Sequence, residues 1–410
     1  MKICLGEKLN SSQDPALRSR ILFLDSLRAI AVLLVVWGHV MLVGINDPAT
    51  VHNWVPSVSE PIFGEGSVAA NVHGKLGLVV ALATGVNPGG LGVALFFLIS
   101  GFVIVRSVER ISSLQFLVQR FFRIVPTCFV AVVLVAAAMW WEFSRVDAAN
   151  PNSVGSVLTS TFALNFYNGA FAVIPVLWTL EVEMTFYLVV AGLAALPGGI
   201  TTGRLVAASI GCLLFVALAA SPAALASGSD VVRLLQHWSS IVVHISFMLI
   251  GSLIYRMYMS SKRWRFLPLL MIAFASYWVS LTVLLSANEH REIGASLHDC
   301  IAALALFVIG LVMGMRAIWL KPLRWIGDIS YPLYLLHVPI GWMLLLFFAQ
   351  LGLGMSAAGF LAISLVVILS WLLHHTVELP AQRFGKTLAR RFSRPGGSVP
   401  DGVEVTAPTS

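Results

Sequence analysis

Three ionisable side chains interrupt an apolar segment, Leu24 to Val40, that is typical of the start of a membrane helix. They are Asp25, Arg28 and His39. An α-helix advances about 100° and 1.5 Å per residue, so Arg28 and His39 share one face roughly 16 Å apart, with Asp25 beside Arg28. A histidine suits proton transfer near neutral pH, and ionisable residues inside a membrane indicate a functional site. The alternatives are a surface ion pair for Asp25 and Arg28, and a hydrogen bond between helices for His39.

Two arginines lie in the segment QRFFRIVP, Gln119 to Pro126, at the predicted start of another helix. Arg120 and Arg123 are three residues apart and therefore neighbours on the helix surface. Guanidinium groups bind phosphate through paired hydrogen bonds, so the two could clamp an anionic ligand such as a nucleotide phosphate. The alternative is that they anchor the helix at the cytoplasmic surface. Pro126 is expected near the helix start, where it breaks no interior hydrogen bond.

Two carboxylates follow in the segment LWTLEVEMTFYL. Glu181 and Glu183 are two residues apart and point about 200° from each other on a helix, so they do not act as a pair. A buried carboxylate needs a partner, and His39 or an arginine would serve. The alternative is that each lies at a solvated helix end.

Two further segments carry polar or small residues among apolar ones. In GGLGVALFFLISGFVIV, Gly92, Ser100 and Gly101 favour close helix packing. In WIGDISYPLYLLHVPI, Tyr331, Tyr334 and His337 follow at steps of three, and Tyr334 and His337 remain neighbours on a helix. They could form the polar wall of a substrate cavity, and the alternative is an aromatic belt at the membrane surface.

The elements that position these residues follow from composition. Of the 410 residues, 58% are hydrophobic and only 11% are charged, and the mean hydropathy is +0.88. Soluble domains are about a quarter charged. The long continuous apolar runs favour an all-α polytopic membrane protein over an outer-membrane barrel. About ten transmembrane helices are predicted, over residues 24–43, 88–105, 125–142, 177–196, 204–222, 238–256, 267–286, 299–316, 330–350 and 356–375.

The distribution of positive charge predicts the orientation. If the N-terminus is cytoplasmic, 22 of the 26 lysines and arginines fall on the inner side, which leaves four outside. The positive-inside rule therefore predicts that both termini are cytoplasmic. Residues 1–20 are expected to form a cytoplasmic segment and residues 21–385 the membrane domain. Residues 386–410 are expected to form a cytoplasmic tail without stable structure.

Several kinds of site lack their sequence signals. The chain has no P-loop, GxGxxG, GxSxG or HExxH pattern. Its four cysteines have no ligand spacing. The basic residues are spread over every predicted inner loop and do not form a nucleic-acid surface. No metal site, no tightly bound cofactor and no nucleic-acid partner are therefore expected.

Five motifs in order cover most of the chain. They are LDxLRxIAxLxVxxxH at Leu24 to His39, GVxLFFxxSGF at Gly92 to Phe102, RxxRIxP at Arg120 to Pro126, WSLxVExxFY at Trp178 to Tyr187 and ISYxLYLLHxP at Ile329 to Pro339. In these motifs the chain resembles membrane acyltransferase family 3, and especially its bacterial O-acetyltransferases of lipopolysaccharide and other envelope glycans. It departs from the family pattern at Thr179, where serine is usual, and at Ala94, where an acid is common.

The resemblance implies transfer of an acyl group, usually acetyl, from acyl-CoA to a hydroxyl. The catalytic histidine of the family falls on His39 and the glutamate of its WSL motif on Glu183, which could orient the imidazole as a triad acid does. The residues expected to bind acyl-CoA are Arg28, Arg120, Arg123 and Ser100. Those expected to line the cavity are Asp25, Trp178, Tyr331, Tyr334 and His337.

The expected partners are acyl-CoA as donor substrate, most simply acetyl-CoA, a lipid-linked or envelope glycan as acceptor, and the lipid bilayer. The expected location is the inner membrane of a bacterium. A small molecule such as a macrolide is an alternative acceptor, and a covalent acyl-histidine is an alternative route. A transporter or flippase is the main alternative class, because intramembrane His, Glu and Arg also line proton paths. The sequence has no repeated half with matching broken helices, which disfavours a transporter.

Overall fold

The structure of the protein is a computed structural model that describes residues 15–58, 83–165, 171–222, 224, 230–287, 296–313 and 323–392. Every regular element in these ranges is a helix, which confirms the predicted all-α class. The first helix begins at Pro15, inside the predicted N-terminal segment, and the last ends at Arg390, inside the predicted tail. The rest of both terminal segments lies outside the described residues, and the domain boundaries stay a prediction.

Twelve helices of the described residues form the frame and are numbered in chain order. They are α1 (Pro15–Trp37), α2 (Pro88–Val108), α3 (Ser113–Arg145), α4 (Trp178–Ala195), α5 (Thr202–Ala219), α6 (Asp230–Met259), α7 (Leu267–Ala287), α8 (Leu297–Met313), α9 (Ser330–Leu336), α10 (Ile340–Gln350), α11 (Met355–Leu373) and α12 (Leu379–Arg390). Each predicted span coincides with one of these helices or with a consecutive pair.

Eight helices of the described chain are long and apolar enough to cross a membrane. The pair α9 and α10, bent by 62°, makes a ninth crossing if it counts as one span. The remaining predicted span corresponds to α8, whose apolar part, Leu297–Val312, is shorter. The protein is thus a multi-pass membrane protein, and its orientation stays a prediction.

The third helix begins well before the predicted span. Ser112 caps it, because its hydroxyl accepts the backbone N–H of Gln115 while the Gln115 side chain accepts the N–H of Ser112. Arg120 and Arg123 therefore lie two to three turns inside α3 and not at its start. Pro126 is inside the helix, so the expectation that it stands near the helix start is wrong.

Two of the interrupted spans carry residues singled out in the sequence. The first continues from α1 into a π-helical segment, Gly38–Val43, which contains His39. Such widened turns are rare in proteins overall, but those that occur are often found at functional sites. The predicted span 330–350 breaks between α9 and α10 next to Pro339, which has no N–H to continue a helix.

The second helix is the centre of the bundle and packs against α1, α6 and α8. Glycines allow its close contacts. A Cβ on Gly92 would lie 2.5 Å from the carbonyl oxygen of Ala31, and one on Gly101 would lie 2.0 Å from that of Met248. Both distances are far below van der Waals contact, so the backbones touch there. This confirms close packing as the role of these glycines.

Candidate active site

A cavity lies between α1, α2, α3, α4 and α9. Six of the residues singled out in the sequence line it: Arg28, Ser100, Arg123, Glu183, Tyr331 and Tyr334. Its apolar wall includes Val93, Phe96 and Phe97 from α2. The cavity therefore combines guanidinium groups and a carboxylate with a surface suited to an uncharged chain.

Glu183 accepts two hydrogen bonds on a single carboxylate oxygen. The hydroxyl of Ser100 donates to Oε1 over 2.8 Å and the phenol of Tyr187 donates to the same atom over 2.5 Å. Arg28, Arg120 and Arg123 all lie within electrostatic range of this carboxylate. Glu183 thus supplies a negative charge at the centre of a cationic cluster.

Arg28 lies on the walls of two neighbouring cavities. The second cavity also contains Asp25, Arg106 and Arg110. The Arg28 Nη1 to Asp25 Oδ1 distance is 3.4 Å, so the i,i+3 ion pair considered as an alternative is present. The pair does not exclude a role in the site, because Arg28 faces both spaces. Asp25 lines the second cavity and is not among the residues that line the first.

Arg120 does not line the cavity that contains Arg123. Its guanidinium lies over the rings of Phe116 and Tyr187, at 5.2 and 5.4 Å from their centroids, and donates to the Ser107 hydroxyl over 3.1 Å. Because Arg120 packs against the ring whose phenol bonds Glu183, it supports the cluster from behind. The prediction of one clamp formed by Arg120 and Arg123 finds no support in this geometry.

His39 lies in the π-helical segment and contacts His337. Its Nδ1 is 3.0 Å from the carbonyl oxygen of Val35 and 3.1 Å from Nε2 of His337. The indole N–H of Trp342 donates to the carbonyl oxygen of His39 over 2.8 Å. The ring is partly exposed, whereas His337 is fully buried. The side chains of His337 and Trp342, from one distant part of the chain, therefore fix His39.

The predicted pairing of Glu183 with His39 finds no support among the described hydrogen bonds, since Glu183 accepts from Ser100 and Tyr187 and His39 meets Val35 and His337. A Cβ on Gly89 would lie 3.9 Å from Cε1 of His39, so His39 is level with the start of α2. Ser100, the partner of Glu183, follows eleven residues later, about 16 Å along the helix. Arg28 and His39 are separated by the same eleven residues, along α1 and the π-helical segment that continues it, which run antiparallel to α2. The polar groups thus form two layers, and His39 and Glu183 belong to different ones.

Two residues expected on the cavity wall lie behind it. Trp178 packs against Phe97 and His244, with ring centroids 6.2 and 5.2 Å away. His337 packs behind Tyr334, whose ring centroid is 5.6 Å away. Neither is among the described residues that line the cavity.

Sequence reasoning did not single out Tyr187, Trp342 or the bond between Thr179 and Tyr334. Tyr187 lies four residues after Glu183, a spacing that places the two side chains together on a helix, so a signal existed. The Thr179 and Tyr334 hydroxyls are 2.8 Å apart and join α4 to α9. Trp342 is one of twelve tryptophans and had no local signal. Within the described residues no cluster of His, Cys, Asp or Glu could hold a metal ion.

The helices and the two layers of polar groups define a multi-span membrane protein with its candidate site inside the helical bundle. Comparison with known proteins identifies the family. The sequence model of the acyltransferase domain of acyltransferase family 3 matches residues 21–375. The chain belongs to this family and is a membrane acyltransferase, as the five motifs predicted.

Two relatives agree with this assignment. Over 348 residues the chain is 28% identical to a protein of Komagataeibacter xylinus named as a membrane-bound transacylase, BcsY, and the match covers 78% of this chain and 85% of that protein. Over 113 residues it is 34% identical to nodulation protein 10 of Rhizobium leguminosarum bv. viciae, which covers 24% of this chain and 31% of that protein. No solved structure is significantly similar to the chain.

Proposed function

We propose that the protein transfers an acetyl group from acetyl-CoA to a hydroxyl of an envelope glycan, such as lipopolysaccharide O-antigen or an exopolysaccharide. The observation that carries the proposal is the position of Arg28 on the walls of two cavities. The acyltransferase family and the transacylase name of the BcsY relative support acyl transfer. The glycan acceptor rests on the motif resemblance, and the inner membrane of a bacterium is the location that fits it.

The donor fits the cavities in two parts. CoA carries several phosphate charges, and Arg28, Arg106 and Arg110 of the second cavity could bind them as paired hydrogen-bond donors. The predicted orientation exposes this cavity to the cytoplasm, where CoA is present. The thin pantetheine arm would then pass Arg28 into the first cavity, along the apolar wall that includes Phe96 and Phe97.

His39 would act as the general base. Its Nε2 makes no hydrogen bond with any described residue, so it is available to an incoming hydroxyl. It takes the hydroxyl proton while the oxygen attacks the thioester carbonyl, the carbon–sulfur bond breaks, and the CoA thiolate leaves and receives the proton. Tyr334 lines the described cavity and His39 does not, and the ring of His337, the partner of His39, packs against that of Tyr334. The proposal therefore requires the Tyr334 side chain to turn aside when the thioester reaches His39.

Labelled donor tests the proposal. Purified protein is incubated with [14C]acetyl-CoA and membranes that contain the host glycan, and label in the glycan is measured for the wild type, His39→Ala and His375→Ala. His375 is an exposed imidazole at the end of the last span and is the matched control. We expect label with the wild type and the control, and none with His39→Ala although the protein is folded.

Three results would contradict the proposal. Near-normal transfer by His39→Ala would exclude its role as base. Donor consumption without glycan labelling would exclude the acceptor. Movement of glycan across vesicles without donor consumption would favour a flippase.

A further inference from the structure

The contact between His39 and His337 defines where their protons lie. Nδ1 of His337 is 2.7 Å from the carbonyl oxygen of Tyr334, which can only accept a hydrogen bond. Nδ1 of His337 therefore carries the hydrogen. In the neutral ring Nε2 then has the lone pair, and this atom faces His39.

The same reasoning applies to His39. Its Nδ1 lies 3.0 Å from the carbonyl oxygen of Val35 and 3.1 Å from the Nε2 lone pair of His337. Two acceptors face this nitrogen, so it carries the hydrogen and shares it between them. The remaining nitrogen, Nε2 of His39, then has the lone pair that a general base needs.

We infer that His337 is a positioning residue, which accepts the Nδ1 hydrogen of His39 and so holds His39 in the tautomer whose Nε2 can take a proton. Its role in the reaction rests on the proposed acyl transfer. The tautomer itself rests on hydrogen-bond geometry alone.

A neutral acceptor suits this position. His337 is fully buried, and an isolated carboxylate there would be costly to bury. The carboxylate of Glu183 belongs to the other layer, about 16 Å along the bundle. Two contacts fix the ring of His337. Its Nδ1 donates to the carbonyl oxygen of Tyr334, and the ring lies edge-on to that of His39 with 5.0 Å between centroids.

Nitrogen NMR of the full chain, labelled with [15N]histidine and held in lipid nanodiscs, tests the tautomer directly. The His39→Gln variant assigns the His39 signals. We expect wild-type His39 to carry its hydrogen on Nδ1, and His337→Leu to give a mixture of tautomers. His337→Gln, whose side-chain oxygen can accept the same hydrogen, should restore the single tautomer. A wild-type His39 with its hydrogen on Nε2, or an unchanged tautomer in His337→Leu, would overturn the inference whether or not acetyl-CoA is the donor.

Transfer kinetics with [14C]acetyl-CoA test the consequence. We expect His337→Leu to lower kcat by at least about tenfold, because in the Ser-His-Asp triad loss of the group that sets the tautomer of the imidazole costs more than this, without changing KM for the donor. His337→Gln should recover most of this loss. The control is His244→Leu, because His244 is also a buried histidine whose Nδ1 lies near a carbonyl oxygen, that of Ser240, in its own helix. An equal kcat loss in both leucine variants, or no rescue by glutamine, would reduce His337 to a structural role.

Discussion

The hydroxyl of Ser100 donates to the Oε1 atom of Glu183 over 2.8 Å and so joins α2 to α4 inside the bundle. Tyr187 donates to the same oxygen. A carboxylate held in this way has a fixed place among the surrounding arginines. It compensates their charges without forming part of the His39 layer.

We expect Glu183→Gln to weaken both the fold and the transfer reaction. The amide oxygen can still accept from Ser100 and Tyr187, but the compensating charge is lost. The free energy of unfolding should fall by about 1.5–3 kcal/mol, the range for hydrogen bonds to charged groups, and thermal unfolding in detergent measures the change.

The matched control is Glu142→Gln. Glu142 is a buried carboxylate paired with Arg145 over 3.1 Å and lies far along α3 from the cavity. It should lower stability while transfer per folded molecule stays normal. If Glu183→Gln keeps the wild-type melting temperature and transfer rate, the charge of Glu183 has no role in the cluster.

Arg28 should control donor affinity, because it faces both cavities. We expect Arg28→Gln to raise KM for acetyl-CoA by about tenfold or more, the value of one charge-assisted hydrogen bond, and to change kcat less. Arg28→Lys should recover only part of the affinity, since a lysine cannot form the paired contact with phosphate. Donor saturation curves measure both.

Arg145→Gln is the control for Arg28. Arg145 is a partly exposed arginine at the predicted outer end of α3. Its substitution should leave KM unchanged. Equal donor affinity in Arg28→Gln and the wild type would place the phosphates elsewhere.

The spans were predictable because hydropathy over 20 residues records burial in lipid directly. The residues at which the helices begin and end were less predictable. The start of α3 depends on the Ser112 cap, and Arg120 and Arg123 were taken for its boundary although α3 extends past both. Charge density marks a membrane surface, but a helix can continue through that surface.

The site was predictable within one helix and not between helices. Arg28 and His39 are eleven residues apart, and helical geometry converts this separation into a distance of roughly 16 Å along one face. In the structure the two residues accordingly belong to two different layers. Which layer contains Glu183 depends on the packing of α4 against Ser100, and no periodicity specifies this. The contact of His39 with His337 depends in addition on the break between α9 and α10, where a regular 3.6-residue repeat no longer applies.

Trp342 should matter through the backbone of the π-helical segment that contains His39. Its indole N–H donates to the carbonyl oxygen of His39 inside the π-helical turn, and the side chain is almost fully buried. Trp342→Phe removes this donor and keeps the aromatic bulk. We expect a stability loss of only about 1 kcal/mol, with kcat reduced by up to about 100-fold because the reacting group shifts.

Trp371→Phe is the control for this prediction. Trp371 is 47% exposed on α11, so its substitution should leave kcat unchanged. Initial rates with [14C]acetyl-CoA, together with melting temperatures, separate the two effects. A normal kcat in Trp342→Phe would mean that the π-helical turn holds His39 without the indole.

The glycines of α2 give the last prediction. A Cβ on Gly101 would lie 2.0 Å from the backbone oxygen of Met248, which cannot rotate away, so Gly101→Ala must push α2 and α6 apart. We expect a loss of about 1–3 kcal/mol or more in the free energy of unfolding. Gly192→Ala in α4 is the control, since its Cβ would meet nothing within 4 Å, and it should stabilise the helix by about 0.4–1 kcal/mol. Thermal unfolding of both variants measures the contrast, and equal melting temperatures would show that α2 and α6 are not in backbone contact.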